Sequence, residues 1–374
     1  MHPNKGMPRL RLAVAWLVFC AVVLPARAAT PSTTDPAAPA LQKHHRVDDA
    51  ATQPPDEDDS GDNHHLIRPD EVHNPILWRD PSRIADEDLF YGQGGKKNQP
   101  VPPFQFLEED HRQSTPKFDI RDAKDKKWRV KLGGEARPEV VASRLLWAVG
   151  YFAQDDYNLA SAEIPGIHMR RGRKYIHGDQ IRDARFARKP SGQKKIATWR
   201  WKKNAFTGTR ELNGLRVMVA LINSWDLKDE NNSVYEDKKN DRQIFLVSDT
   251  GTAFGRTGLH FTNGPSKDNV RAYVRSRFIT KKTATTVSFA NPSPSWSLLA
   301  ETLGFGIKQF IRRQGMLWIG RNIPIQDAKW IGGLLGQLSH QQLVDAFRAA
   351  NYPPDQIDQF VTTVESRIKV LNDL

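Results

Sequence analysis

Asp226-Leu227-Lys228-Asp229-Glu230-Asn231 and, downstream, Asp249-Thr250-Gly251 place carboxylates, an ammonium and an amide at short intervals. Phosphoryl transfer asks for these groups: a carboxylate to orient the attacking hydroxyl, a cation near the transferring phosphate, and oxygen ligands for a metal. Asp226 supplies the first and Lys228 the second. Asn231, with an amide oxygen, and Asp249 supply the third. Asp249 follows the apolar run Phe245-Leu246-Val247, so a strand end presents its carboxylate, and Gly251 permits a sharp turn after it.

Upstream, Leu215, Met218, Val219 and Ile222 predict a helix over Arg210–Asn223. Before it, alternating polar and apolar residues predict strands at Phe104–Leu107, Lys117–Asp122 and Trp128–Leu132, an antiparallel meander. A helix is expected next, with Pro138 at its first position. Val141, Leu145, Ala148, Val149 and Phe152 form one face, to be packed on the sheet. Lys131 ends the third strand and Glu139 lies in the first turn of that helix; taken alone, Lys131 reads as a surface lysine on an edge strand. Phe90–Gly95 is a glycine-rich stretch with no strand and helix after it, so it reads as a structural turn.

These residues resemble the protein-kinase family. Asp-Leu-Lys-x-Glu-Asn is similar to the kinase catalytic loop, and Asp249-Thr250-Gly251 to its Asp-Phe-Gly metal motif. The resemblance implies an α+β, two-lobed protein-kinase-like fold: a β-rich first lobe with one main helix (76–209), then a mostly helical lobe (210–374). It implies ATP as cofactor with Mg2+ or Mn2+. Asp226 is then the base, Asn231 and Asp249 hold metal, and Lys131 holds the α- and β-phosphates with Glu139 as its partner, Glu135 being second choice. The loop before the second strand carries no glycine, and Ser114 and Lys117 are expected to contact phosphates as in HipA-like kinases. Ser224-Trp225 stands where kinases have His-Arg, Thr250 replaces Phe, and no Ala-Pro-Glu follows. The chain therefore looks closer to an atypical, HipA-like or secreted-kinase-like protein. It is also similar to an uncharacterised exported bacterial group carrying Trp-x-Val-Lys-Leu-Gly and Trp-Asp-Leu-Lys-Asp-Glu-Asn. The resemblance leaves the acceptor unspecified; the alternative is a catalytically silent pseudokinase or nucleotide-binding interaction module that keeps the fold for recognition, against which the intact base and metal ligands count.

The flanks are of another kind. Residues 1–29 read as a signal peptide: Lys5, Arg9 and Arg11, a short apolar run from Leu12 to Leu24, then Ala26-Arg27-Ala28. Export to the periplasm or beyond follows, with no transmembrane span after cleavage. Cleavage also removes Cys20, the one cysteine, and with it thiol and disulfide chemistry. Residues 30–75 are rich in Pro, Asp, Thr and Ala and are expected to be a disordered linker. Residues 164–204 are crowded with Arg and Lys and read as a solvated basic insertion ending in a strand at Ile196–Trp201. The interleaved Trp199 and Trp201 raise nucleic-acid binding as a weaker option. Helices are predicted at Trp296–Phe310, Ile325–Leu338, Ser339–Ala349 and Pro354–Leu371.

A net charge of +12 suits acidic partners such as a nucleotide, and export makes nucleic acid a less suitable one. No His-Glu-x-x-His, paired-cysteine or Gly-x-Ser-x-Gly signature is present. An Asp226/Glu230 pair for glycoside hydrolysis leaves Lys228, Asn231 and Asp249 unexplained.

Overall fold

The computed structural model describes residues 65–111, 115–188, 193–224, 226–255, 267–290 and 315–374. The signal-peptide segment 1–29, most of the linker, Ser114, Trp225 and the expected Trp296–Phe310 helix lie outside them. Order begins earlier than the linker reading expects. His65 bonds Glu71 at 2.7 Å, Leu66 bridges Thr198, and a short strand β1 (Pro75–Ile76) follows.

The first half is organised by a sheet. Strands β2 (Gln105–Asp110), β3 (Lys117–Arg121) and β4 (Lys127–Lys131) form the expected meander. Then come helix α1 (Ala136–Ala148), β5 (Asp155–Glu163), β6 (Ile176–His177) and β7 (Gln180–Arg188). The sheet order is β2-β3-β4-β7-β5, with β6 on β7, so β7 is an interior strand. This corrects the solvated-insertion reading of 164–204: its central part fills the gap between β4 and β5. Phe118, Ile120, Trp128, Val130, Tyr157 and Phe186 share one buried apolar face, as period-two alternation requires.

Helix α1 starts two residues before Pro138, which sits in the first turn, where the missing N–H costs no helical bond. Past its C-cap Val149 comes Gly150, whose φ of +95° suits glycine, and Tyr151 N–H closes the end onto the Leu146 carbonyl. The amphipathic pattern predicts that its apolar face packs on the sheet, and the structure corrects this: Val140, Val141, Leu145 and Leu146 belong to the larger core of the second half. Toward β5 and β7 the helix presents Glu139, Ser143 and Arg144 instead.

The second half opens with β8 (Gln193–Ala197) and helix α2 (Arg210–Leu221), capped by Thr209 Oγ1 accepting from Leu212 N–H. Strands β9 (Asn232–Asp237) and β10 (Arg242–Val247) complete a four-stranded sheet of order β1-β10-β9-β8. Trp199 and Trp201 are buried beside it, with Trp199 Nε1 donating to the Leu246 carbonyl, so neither ring is offered to a base. Helix α3 (Val270–Val274), strands β11 (Ile279–Lys282), β12 (Thr286–Phe289) and β13 (Ile323–Pro324), and helices α4 (Ile325–Leu335), α5 (His340–Arg348) and α6 (Pro354–Asn372) follow. Ser339 caps α5 in a capping box with Gln342. The class is α+β, β-rich first and mainly helical afterwards; the small β11-β12-β13 sheet is an addition to the expected arrangement.

Candidate active site

Lys131 is not the surface lysine that its strand alone suggests. It ends β4, its side chain is 3 % exposed, and its Nζ lies 2.6 Å from Glu139, 3.4 Å from Asp249 and 3.6 Å from Glu135. β4 aims it at α1, because Val130 and Leu132 turn to the apolar face and leave Lys131 on the other. α1 supplies the two glutamates, Glu139 from its first turn and Glu135 from the position before its first residue. The preferred partner and the second choice thus both surround one ammonium.

The register sets up a row of cations. Lys117 on β3 pairs with Lys131 on β4, and Lys131 pairs with Arg185 on β7. Like charges directly opposite one another destabilise a sheet, so this row requires anions over it. Glu139 reaches Lys131 and, at 3.5 Å, Arg185; Asp156 accepts from Arg185 Nε at 2.9 Å. Sequence reasoning missed Arg185 and Asp156. The available signal was the apolar-polar-apolar run Ala184-Arg185-Phe186, hidden in a basic stretch.

The loop before β9 and the strand end after β10 are tied together. Asn231's carbonyl accepts from Ser248 N–H at 2.8 Å and Asp249 N–H at 3.3 Å. Asn231 Nδ2 donates to the Asp226 carbonyl at 2.7 Å, and Asp226 N–H donates to Thr252 Oγ1 at 3.2 Å. Lys228 Nζ lies 2.7 Å from Asp226 Oδ2. Asp249 Oδ1 accepts from Gly251 N–H at 3.3 Å and from Lys131. Gly251 is required by proximity: a Cβ there would stand 2.7 Å from Glu135 Cβ. Glu135 also accepts from Thr115 Oγ1 and pairs with Lys267. Asp226, Lys228, Asn231 and Asp249 therefore lie on two neighbouring chain segments, and Asp249 reaches across to Lys131.

The electrostatics follow from crowding. Burial opposes the Lys131 charge, but Asp249, Glu139 and Glu135 outweigh it and hold its pKa above the usual lysine value. Burial also opposes the Asp249 charge, yet Lys131, Lys117 and the Gly251 N–H hold its pKa well below the usual carboxylate range. Burial pushes Glu139 up against the pull of Arg185 and Lys131. Lys117 is lowered to about 8 by burial and by its neighbour Lys131.

Among the described residues no three His, Cys, Asp or Glu side chains converge as a metal cage. Mg2+ asks for less: one or two carboxylates with waters and substrate phosphates. The donor set fits that demand, since both Asp249 bonds fall on Oδ1 and Asn231 uses its Nδ2, so the other oxygens of these side chains are the hard ligands on offer. A surface cavity of about 540 Å³ lies elsewhere, between β2 and the 168–173 segment, lined by Phe106, Glu109, His111 and Arg170. It contains none of the expected site residues, and its Glu109 carboxylate is already taken by the Arg170 and Arg171 N–H groups. No described helix is long and apolar enough to cross a membrane.

No family model matches the chain, and no curated protein matches it. Among solved structures it is similar to the crystal structure of the Helicobacter pylori proinflammatory kinase CtkA, with a TM-score of 0.37 and 9 % identity over 73 % of this chain and 98 % of that one.

Proposed function

We propose that the protein is an exported, ATP-dependent phosphotransferase of the protein-kinase-like type, with an acceptor still to be identified. The observation that carries this is the buried Lys131–Glu139 pair, 2.6 Å apart, on the third strand of the sheet and the helix after it, with Asp249 of an Asp-x-Gly turn against the same lysine. Protein kinases use that pair to hold nucleotide phosphates and that aspartate to hold metal.

On this proposal Lys131 binds the α- and β-phosphates and Lys117 adds a second cation beside it. Asp226 accepts the acceptor's proton as the hydroxyl oxygen bonds to the γ-phosphorus and the bond from that phosphorus to the β,γ-bridging oxygen breaks. Lys228, bonded to Asp226, orients that carboxylate and offsets charge on the transferred group. Asp249 and Asn231 would hold Mg2+ or Mn2+, which neutralises phosphate charge when bound. Export rests on the residue pattern of 1–29.

A thermal-shift titration with ATP and Mg2+ or Mn2+ is the first test, because a ligand that binds only the folded state raises its stability. No shift with either metal would end the proposal. Asp249→Ala is expected to abolish the metal-dependent shift. Asp226→Ala is expected to keep it and lose turnover, read by mass spectrometry as phosphate added to the protein itself. A shift without any turnover in the wild-type chain would favour a silent nucleotide-binding module, and added AMP would mean nucleotidyl transfer.

A further inference from the structure

The Glu139 carboxylate is bridged by two cations, one to each oxygen. Oε2 faces Lys131 at 2.6 Å and Oε1 faces Arg185 at 3.5 Å. Arg185 is itself fixed. Its Nε donates to Asp156 Oδ2 at 2.9 Å, and another guanidinium nitrogen donates to Gln154 Oε1. Asp156 is fully buried, and its second carboxylate oxygen accepts from Ser143 Oγ at 2.7 Å and Arg144 at 3.0 Å. Arg144 donates again to the Asp156 carbonyl. Arg185 is therefore a rigid post between β5 and α1, and Glu139 leans on it.

The residue type matters. A guanidinium carries five donors in a planar fork and serves Asp156, Gln154 and Glu139 together, whereas a lysine offers one compact ammonium. Glu139 needs the support because Lys131 has other partners. Asp249 and Glu135 lie only 3.4 and 3.6 Å from the ammonium, on segments outside the sheet. A Glu139 free to move would leave Lys131 to those two carboxylates. The row Lys117–Lys131–Arg185 then has a division of labour: Lys131 meets Asp249 with Lys117 beside it in register, and Arg185 is tied to Asp156.

We propose that Arg185 is a positioning residue of the nucleotide site, holding Glu139 so that Glu139 keeps Lys131 aimed at the phosphates. This inference rests on the phosphotransferase proposal.

The test is a double-mutant cycle on affinity for ATP with Mn2+, using the wild type, Arg185→Lys, Glu139→Gln and the double variant. Arg185→Lys keeps the positive charge beside Asp156 but not the bridge. It is expected to weaken ATP about tenfold, Glu139→Gln by a similar factor, and the pair no more than Glu139→Gln alone, because two residues acting through one contact are not additive. Losses that multiply to about a hundredfold would mean that Arg185 only supports the fold, and would overturn the inference. So would wild-type affinity in Arg185→Lys. Unfolding without nucleotide checks that each variant folds; should Arg185→Lys fail to, Arg185→Gln, which retains a donor for Asp156, replaces it in the same cycle. A wild-type protein that does not bind ATP refutes the phosphotransferase proposal itself, a result distinct from a binding wild type with an unaffected variant.

Discussion

Replacing Lys131 by Met separates two roles that the geometry joins. Without nucleotide, the substitution leaves the buried Glu139 and the partly exposed Asp249 with one cation fewer. Deleting one partner of a buried ion pair costs about 3–5 kcal/mol. Arg185 stays 3.5 Å from Glu139, and burial already favours the protonated acid, so the lower end applies. About 3 kcal/mol at about 2–4 °C per kcal/mol lowers the unfolding temperature by roughly 6–12 °C. With nucleotide a second loss appears. A charge-assisted hydrogen bond contributes about 1.5–3 kcal/mol, and about 2 kcal/mol is roughly a thirtyfold change in Kd. ATP at about 100 times the wild-type Kd stabilises the wild type by about 2.7 kcal/mol; at the same concentration the variant gains only about 0.9 kcal/mol. Thermal unfolding of both proteins with and without ATP and Mn2+ reads both quantities. A variant that is less stable yet keeps the full ATP increment would refute the phosphate role of Lys131 and leave a structural ion pair. A variant unchanged in both would refute the buried pair itself.

Gly251→Ala puts a Cβ 2.7 Å from Glu135 Cβ and 3.2 Å from the Glu135 carbonyl, and overpacking of this kind costs about 1–3 kcal/mol. A lower urea midpoint and a weaker ATP shift are expected, and a wild-type midpoint would show that the two segments do not touch. The pH dependence turns on Lys117, whose pKa in the folded protein is about 8 against 10.5 for an ordinary lysine. The folded state binds fewer protons than the unfolded between these values, so nucleotide-free stability rises with pH across that window. ATP affinity moves the other way, falling as Lys117 loses its charge above about pH 8. In Lys117→Gln both slopes are expected to flatten, which urea unfolding and ATP titration at pH 7 and pH 9 would check.

The contrast between what the sequence showed and what it hid has a physical cause. The meander was legible because Phe118, Ile120, Trp128 and Val130 alternate with polar residues and line one apolar face. Helices α2, α5 and α6 were legible from their apolar spacing, and α5 also from its capping box. β5 and β7 were not, because one face of each meets charged side chains of α1 instead of apolar ones. Asp156, Asn158 and Arg185 then read as surface, although they are 0 %, 9 % and 4 % exposed. The same inversion misdirected α1, whose apolar residues face the larger core and whose polar ones face the sheet. At the site, Asp226, Lys228, Asn231 and Asp249 stand close in the chain, and their grouping needed only local spacing. Arg185 reaches Glu139 across 46 positions, a relation that only the β4–β7 pairing reveals.

That pairing also bears on how the site would open to a nucleotide. The cations facing one another on β3, β4 and β7 repel, and the carboxylates over them differ in how firmly they are held. Glu139 and Asp156 are 3 % and 0 % exposed and are bridged to Arg185. Asp249 is 26 % exposed, sits in a turn after β10, and meets Lys131 at the longer distance of 3.4 Å. On the phosphotransferase proposal, an incoming phosphate displaces the long contacts of Lys131 before the 2.6 Å Glu139 pair; of the two, Glu135 at 3.6 Å stays paired with Lys267, and Asp249 at 3.4 Å is the one set free. Loss of the Lys131–Asp249 contact leaves the partly exposed Asp249 carboxylate without that cation, and Asp249 would then hold a divalent metal, whose charge would take the place of the Lys131 ammonium. Nucleotide and metal are thus expected to bind interdependently, each weak without the other, because each removes the penalty that the other creates at the same carboxylate.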